Sequence, residues 1–357
     1  MFTVETDALR LLANDLAKFA ASAGSPGAGS YTNTQVMAGH TSDGSLVYAN
    51  VDTSTEALKN SIADLYAQIH DALDGSASEL RKTALSYDGL DDDTRRSLDA
   101  LFPDSPGTRR LPDSGVAPGT SIPCPAAPSG TPPSSIPGDL MTVIFTTDWL
   151  SPSTTVSLLI GQLFGWDPLS ETGKRFAGDW SAIDRVSGAL TELADYQSNL
   201  ASAISKASET AFDSWTGKAA DAAEEYFGGF VSKARKAADQ LRSASKEYKT
   251  LAIGMKAGAD FLSGNYASIM DALLVAAIAF AAGTATAETG VGLLLGWGAS
   301  AIAASRVLWL VREAWQILMQ AETVWQVFTT AIGGAQNALL TTKISIRIPH
   351  SYDNSQV

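Results

Sequence analysis

The 357-residue sequence has little charge and almost no cysteine. Only 18% of the residues are charged, and an excess of acidic over basic side chains gives a formal net charge of −13. Nucleic-acid binding needs basic patches for the phosphates, so this balance argues against a nucleic-acid partner. It also argues against simple electrostatic docking on anionic lipid. Cys124, the single cysteine, can form neither an internal disulfide framework nor a zinc site. It is either an incidental thiol in a proline-rich segment or an intermolecular disulfide partner.

Recognisable catalytic and targeting signatures are missing as well. We find no Gly-x-Ser-x-Gly motif, phosphate loop or zinc-protease signature, and His40, His70 and His350 lack metal-ligand spacing. We therefore predict a protein that is not an enzyme, holds no cofactor or metal and acts by binding. The first 16 residues carry charges where a secretory signal peptide has an apolar run, so no cleaved signal is expected. By itself this indicates a cytoplasmic protein.

Two long helical patterns meet at residues 214–217. Apolar residues recur every three or four positions on both sides, which is the spacing of a helix that buries one face. Two such helices joined by so short a break fold back as an antiparallel hairpin. Gly217 suits the turn because it tolerates positive φ, and the ring of Trp215 can cap the open end of the groove. The helix before the break is predicted to start near Ser170 and to bury Trp180. The stripes comprise Ile183, Val186, Leu190, Leu193, Leu200, Ile204 and Ala211 before the break, and Ala219, Ala223, Tyr226, Phe230, Ala237, Leu241, Ala244, Tyr248, Leu251 and Met255 after it.

The first hundred residues contain a second pair of helical patterns. One helix is predicted from Thr6 to Ala23, and another begins at Ser54 as its N-cap. Between them we expect a polar loop over residues 31–52 with a short strand at 45–51. The buried stripes are Leu9, Leu12, Leu16 and Phe19 in the first helix, and Leu58, Ile62, Leu65, Ile69, Leu73, Leu80, Ala84 and Tyr87 in the second.

Trp215-Thr216-Gly217, set between two long helices, resembles the corner of the WXG-type proteins of ESX (type VII) secretion systems. Residues 1–102 resemble the EspC-like branch of that superfamily, because Tyr87 and Asp91 follow a helix as the family's Tyr-x-x-x-Asp export signal does. The resemblance implies export in the folded state without a cleaved signal, to the medium or the cell surface. It implies a type VII secretion ATPase or a WXG-type protein as partner, with homo-oligomers as a further option.

The local pattern suggests what Tyr87 and Asp91 would do. A tyrosine and an aspartate one helical turn apart on a frayed helix end present one adjacent patch to a receptor. The alternative is a tyrosine that closes the hairpin core, followed by acidic residues 91–93 that end the helix. Likewise, Trp215 can be a buried residue of an ordinary helix–turn–helix. Tyr48 and Asp52 form a second match to the spacing.

The sequence departs from the simple WXG proteins in one respect. In those, the corner of one chain lies beside the tail of its partner, whereas here both motifs are on one polypeptide in different hairpins. Either the two hairpins pack on each other as a built-in heterodimer, or each pairs with a separate partner.

The remaining segments divide by composition. Residues 103–140 form a Pro/Gly/Ser-rich linker of extended coil, and residues 141–268 hold the WXG hairpin. Residues 269–340 are an apolar Ala/Gly-rich helical region, and residues 341–357 form a short strand and a disordered tail. Smaller predictions are a strand at 141–147 and a helical piece at 156–163.

Two interpretations of residues 269–304 stay open. We expect a tightly packed, buried helical hairpin, because each apolar run is at or below the length needed to span a bilayer. The alternative is a hairpin that contacts or enters a membrane after secretion, helped by a small-xxx-small pair at Gly292 and Gly296.

The sequence thus predicts a mostly α protein with tandem antiparallel helical hairpins, a WXG-like four-helix bundle, a C-terminal apolar hairpin and minor β-strands. The favoured function is a non-enzymatic substrate or structural component of a type VII secretion system. A membrane-active effector and the delivery module of a polymorphic toxin are the alternatives.

Overall fold

A computed structural model describes residues 3–37, 49–101, 119–136, 179–287 and 349–353, with the side chains of 49, 50, 92 and 258–287 left out. Most of the described chain is helical, with one small two-stranded sheet. The helices are α1 (Thr6–Ala23), α2 (Ala28–Gln35), α3 (Ala49–Tyr87), α4 (Asp92–Asp99), α5 (Trp180–Phe212) and α6 (Lys218–Ala287); the strands are β1 (Thr3–Val4) and β2 (Trp215–Thr216).

The first half confirms the predicted helix from Thr6 to Ala23 and corrects the loop that follows it. Helix α2 occupies the start of the predicted loop, and α3 begins at Ala49, so Ser54 is a buried helical residue and not an N-cap. Residues 49–51 are helical, although they belong to the strand predicted at 45–51. Val51 is buried in the core, and its carbonyl accepts a 2.7 Å hydrogen bond from Thr55 Oγ1. Tertiary burial overrides the local preference here.

Helix α5 also starts later than the sequence predicts. It begins at Trp180, where Asp179 Oδ1 accepts a 2.8 Å hydrogen bond from the Ala182 amide, so Asp179 is the N-cap. Trp180 is buried, as predicted. The predictions for 141–147, 156–163, 288–340 and 341–348 lie outside the described residues.

Helix α6 is continuous from Lys218 to Ala287, across the predicted boundary between residues 268 and 269. In the part of the chain that the structure describes, no helix is both long and apolar enough to cross a bilayer.

The helices share one hydrophobic core. Helix α1 packs on α3 and α5, α5 packs on α6, and α2 contacts both α3 and α5. The predicted stripes are buried in this core, with the exception of Tyr226, which is half-buried while its neighbour Phe227 is fully buried. The 3/4 spacing therefore identified the inward faces correctly.

Residues 119–136, which we name the strap, cross this core as neither helix nor strand. Two buried carboxylates hold the strap. Asp15 accepts a 2.7 Å hydrogen bond from the Ile122 amide, and Asp184 accepts one of the same length from the Ser135 amide. The linker is thus more than a spacer, since Ile122 also contributes a side chain to the core. Gly188 in α5 lies under the strap, where an added Cβ would stand 2.8 Å from Pro132 Cβ.

Candidate interaction site

The predicted break between two long helices is confirmed at Trp215–Gly217. Helix α5 ends at Phe212, and α6 starts at Lys218. Gly217 has φ +128°, a conformation that L side chains rarely adopt, which explains the glycine. Trp215 is 1% exposed, and its ring lies 5.9 Å from that of Phe212. The tryptophan therefore fills the inside of the corner.

The N-terminal residues of the chain are attached to this corner. Strand β1 pairs antiparallel with β2, with Thr3 opposite Thr216 and Val4 opposite Trp215. The Glu5 amide adds a 3.1 Å hydrogen bond to the Ser214 carbonyl. A two-residue strand has no periodicity of its own, so the sequence did not predict this sheet.

Asp99 at the end of α4 caps α6. Its Oδ2 and Oδ1 accept hydrogen bonds of 3.1 and 3.0 Å from the amides of Lys218 and Ala219. Gly217, which precedes α6, has no side chain to cap the helix, so a carboxylate far away in sequence supplies the missing acceptor. Asp99 is 8% exposed. Through its hydrogen bonds, the segment that follows Tyr87 contacts the start of α6, next to the Trp215 corner.

Removal of this distant cap should weaken the junction. We expect Asp99→Ala to lower the free energy of unfolding by about 1 kcal/mol, because two amides at the start of α6 lose their acceptor. Urea denaturation followed by circular dichroism measures this loss. Asp93→Ala is the matched control, since this carboxylate on the same helix is 91% exposed and pairs only with its neighbour Arg96 in the described contacts. Equal stability of the two variants would contradict the capping role.

The two residues of the predicted export signal differ in exposure. Tyr87 is the last residue of α3 and is 2% exposed, and burial together with the nearby Asp99 carboxylate raises its pKa to about 12. Asp91 is exposed. Its Oδ1 accepts hydrogen bonds from the amides of Asp93 and Thr94 at 3.1 and 2.9 Å, so it is the N-cap of α4. These hydrogen bonds lower the pKa of Asp91, and the bond from the Thr94 amide has the largest effect.

The expectation of a frayed helix end with one shared Tyr–Asp patch is therefore wrong for this conformation. Gly89, with φ +72°, turns the chain directly after α3, which leaves Tyr87 in the core and Asp91 in solvent. Arg95 Nε donates a 3.1 Å hydrogen bond to the Tyr87 carbonyl and fixes the turn. Asp88, in the same turn, pairs with Arg10 of α1.

The predicted disorder of the tail is also wrong for residues 349–353. Tyr352 is 5% exposed and lies between α3 and α6. Its amide donates a 2.8 Å hydrogen bond to Ser76 Oγ, and its hydroxyl donates a 3.5 Å hydrogen bond to the Ala219 carbonyl. Its ring lies 5.8 Å from that of Tyr226. No pattern in the sequence predicts this burial, because Tyr352 lies among polar residues.

The remaining candidates for chemistry are scattered. His70 is half-buried, with Nδ1 3.0 Å from the Ala20 carbonyl, while His40 lies outside the described residues and His350 lies in the tail. Cys124 is exposed on the strap. Among the residues that the structure describes, no group of His, Cys, Asp or Glu is arranged to hold a metal ion.

No protein-family model matches this chain, and comparison with curated proteins and with solved structures gives no significant match.

Proposed function

We propose that the chain is a non-enzymatic, secreted substrate or structural component of a type VII (ESX) secretion system that acts through helix–helix protein contacts. The observation that carries the proposal is a contact between the segments that follow the two motifs. Asp99, in the helix that follows Tyr87 and Asp91, caps the helix that starts directly after the Trp215–Gly217 corner. In the simple WXG proteins the corresponding corner and tail belong to two different chains.

We interpret the helices as a built-in heterodimer. Helices α1 and α3 take the place of one WXG-type protein, and α5 and α6 take the place of its partner. Their shared core, with α1 packed on α5, supports this assignment. So does the sheet that joins the start of the chain to the corner. In this arrangement Trp215 and Gly217 shape the corner, and the four helices form the WXG-like bundle.

The export signal consists of Tyr87 and Asp91, and the receptor is a type VII secretion ATPase or a WXG-type partner protein. Asp91 is exposed and carries a negative charge that a basic receptor surface can bind. Leu85 and Leu101, which are 66% and 59% exposed, flank this segment in sequence and offer apolar contacts. Export without a cleaved signal would place the protein in the medium or on the cell surface.

The capping role of Asp91 allows a test that separates signalling from folding. Asp91→Ser keeps a good N-cap but removes the carboxylate, whereas Asp91→Ala removes both. We expect both variants to reduce export into the culture supernatant of a type VII-competent actinobacterium about tenfold, the loss given by one charge-assisted contact.

Asp52→Ser is the matched control, because it removes the carboxylate of the second Tyr-x-x-x-Asp match, and its export should equal that of the unaltered chain. Cytoplasmic levels, measured in parallel, exclude degradation as the cause. Unchanged export of Asp91→Ser would remove the signal assignment, and a loss seen only with Asp91→Ala would reduce Asp91 to a helix cap.

A further inference from the structure

The tail fills a groove next to the buried signal tyrosine. Residues 349–353 lie between α3 and α6, where Tyr352 is bound through its amide to Ser76 and through its hydroxyl to the Ala219 carbonyl. Phe227 lies beneath the ring, at 6.3 Å between centroids. The segment therefore contacts both sides of the groove with backbone and side chain.

The same groove leads to Tyr87. Ser76, Leu80, Ala84 and Tyr87 follow the buried stripe of α3, with Tyr87 at its end. Arg95 Nε donates a hydrogen bond to the Tyr87 carbonyl, and Asp99, one helical turn further along α4, accepts one from the Ala219 amide. Ala219, which Tyr352 contacts, is also the residue whose amide Asp99 caps. Tail, signal tyrosine and corner thus meet at one end of the bundle.

A glycine in the middle of α3 gives an independent indication. Gly75 lies inside a 39-residue helix, where alanine would favour the helix more. An added Cβ at this position would stand 2.6 Å from Ser351 Cβ and 2.9 Å from its Oγ. Because real Cβ atoms essentially never approach so closely, the glycine gives the tail its access to the helix.

We propose that residues 349–353 are a releasable clasp that keeps Tyr87 buried, and that a receptor reads Tyr87 only after the clasp has left the groove between α3 and α6. This inference rests on the proposed function, since it explains how a buried tyrosine can belong to an export signal. Few hydrogen bonds and one aromatic side chain hold the clasp in the described contacts, so it can open without unfolding the helices.

Hydroxyl-radical footprinting with peptide-resolved mass spectrometry tests the clasp, because it reports the exposure of each tyrosine. We expect a chain ending at residue 348 to show an approximately tenfold faster modification of Tyr87 than the full chain. Tyr66, fully buried and bonded to the Leu193 carbonyl, should stay protected and reports an intact core. A chain ending at residue 353 keeps the clasp and should behave as the full chain. The proposal would be overturned if removal of residues 349–357 left the modification rate of Tyr87 within about twofold of its rate in the full chain.

Gly75→Ala is a second variant that tests the clasp if the chain ending at residue 348 fails to fold. It favours helix α3 but pushes Ser351 away, so Tyr87 should become more reactive while circular dichroism shows no loss of helix. An unchanged Tyr87 rate in Gly75→Ala would also count against the clasp.

Export measurements separate this inference from the proposed function. If the clasp limits recognition, its removal raises the fraction of competent molecules, and the chain ending at residue 348 should be exported at least about twofold more efficiently. No increase, in a host where Asp91→Ser reduces export as expected, would overturn release as the controlling step. Should Asp91→Ser leave export unchanged, the signal assignment of the proposed function fails, and footprinting alone decides whether the clasp covers Tyr87.

Discussion

Trp215→Ala should destabilise the protein more than any other substitution considered for the corner, by about 3–5 kcal/mol of unfolding free energy. The ring is 1% exposed and contacts Phe212, and its backbone pairs with Val4, so truncation leaves a cavity where three elements meet. Urea denaturation followed by circular dichroism measures the loss.

Trp215→Phe is the matched variant for this experiment. It keeps an aromatic contact with Phe212 and removes an indole N–H that is buried without a hydrogen-bond partner among the described residues. Since loss of that unpaired donor offsets part of the cavity, Trp215→Phe should cost less than half as much as Trp215→Ala. A loss below about 1 kcal/mol for Trp215→Ala would mean that the ring does not support the corner.

Asp184→Asn should lower stability at neutral pH by about 2 kcal/mol, the range for hydrogen bonds to a charged group. This carboxylate is 4% exposed and binds Lys249 Nζ at 2.6 Å, as well as Ser134 and Ser135 of the strap. Burial acts to raise the pKa of Asp184, but the hydrogen bonds from Lys249, Ser135 and Ser134 outweigh it and hold the pKa below the ordinary 3.8. Asparagine keeps the shape but loses the charge.

The sign of the pH dependence follows from this lowered pKa. A carboxyl group that is more acidic in the folded than in the unfolded chain stabilises the fold above its unfolded pKa, and this contribution disappears as the pH falls through the folded value. The stability gap between the unaltered chain and Asp184→Asn should therefore be constant above about pH 5 and close below pH 3.8. Asp195→Asn, an exposed carboxylate on the same helix, is the control and should show no gap. A gap that widens on acidification would contradict the assignment.

The sequence was a good guide to features that depend on local pattern. The stripes of α1, α3 and α5 are buried as their spacing predicts, because a helix places every third or fourth residue on one face. The corner was also predictable, since Gly217 interrupts two such stripes. By contrast, Ser54 is a favourable N-cap residue, but α3 already begins at Ala49 because Val51 is buried in the core.

The contacts that assemble the site were not predictable in this way. The partners of Asp15, Asp99 and Tyr352 lie more than a hundred residues away in sequence, and no local period reports such pairs. Buried carboxylates could have been suspected from their position on apolar faces, as for Asp15 beside Leu12 and Leu16. Their partners would still have been unknown, because backbone amides of an irregular strap leave no signature in composition.

The small sheet at the corner sets an order of events during synthesis. Thr3 leaves the ribosome before its partner Thr216, which follows 213 residues later. At synthesis rates of about 5–20 residues per second this interval is about 10–40 s. Strand β1 stays without this partner strand through that time, so a chaperone that holds the emerging chain has a defined interval in which to act.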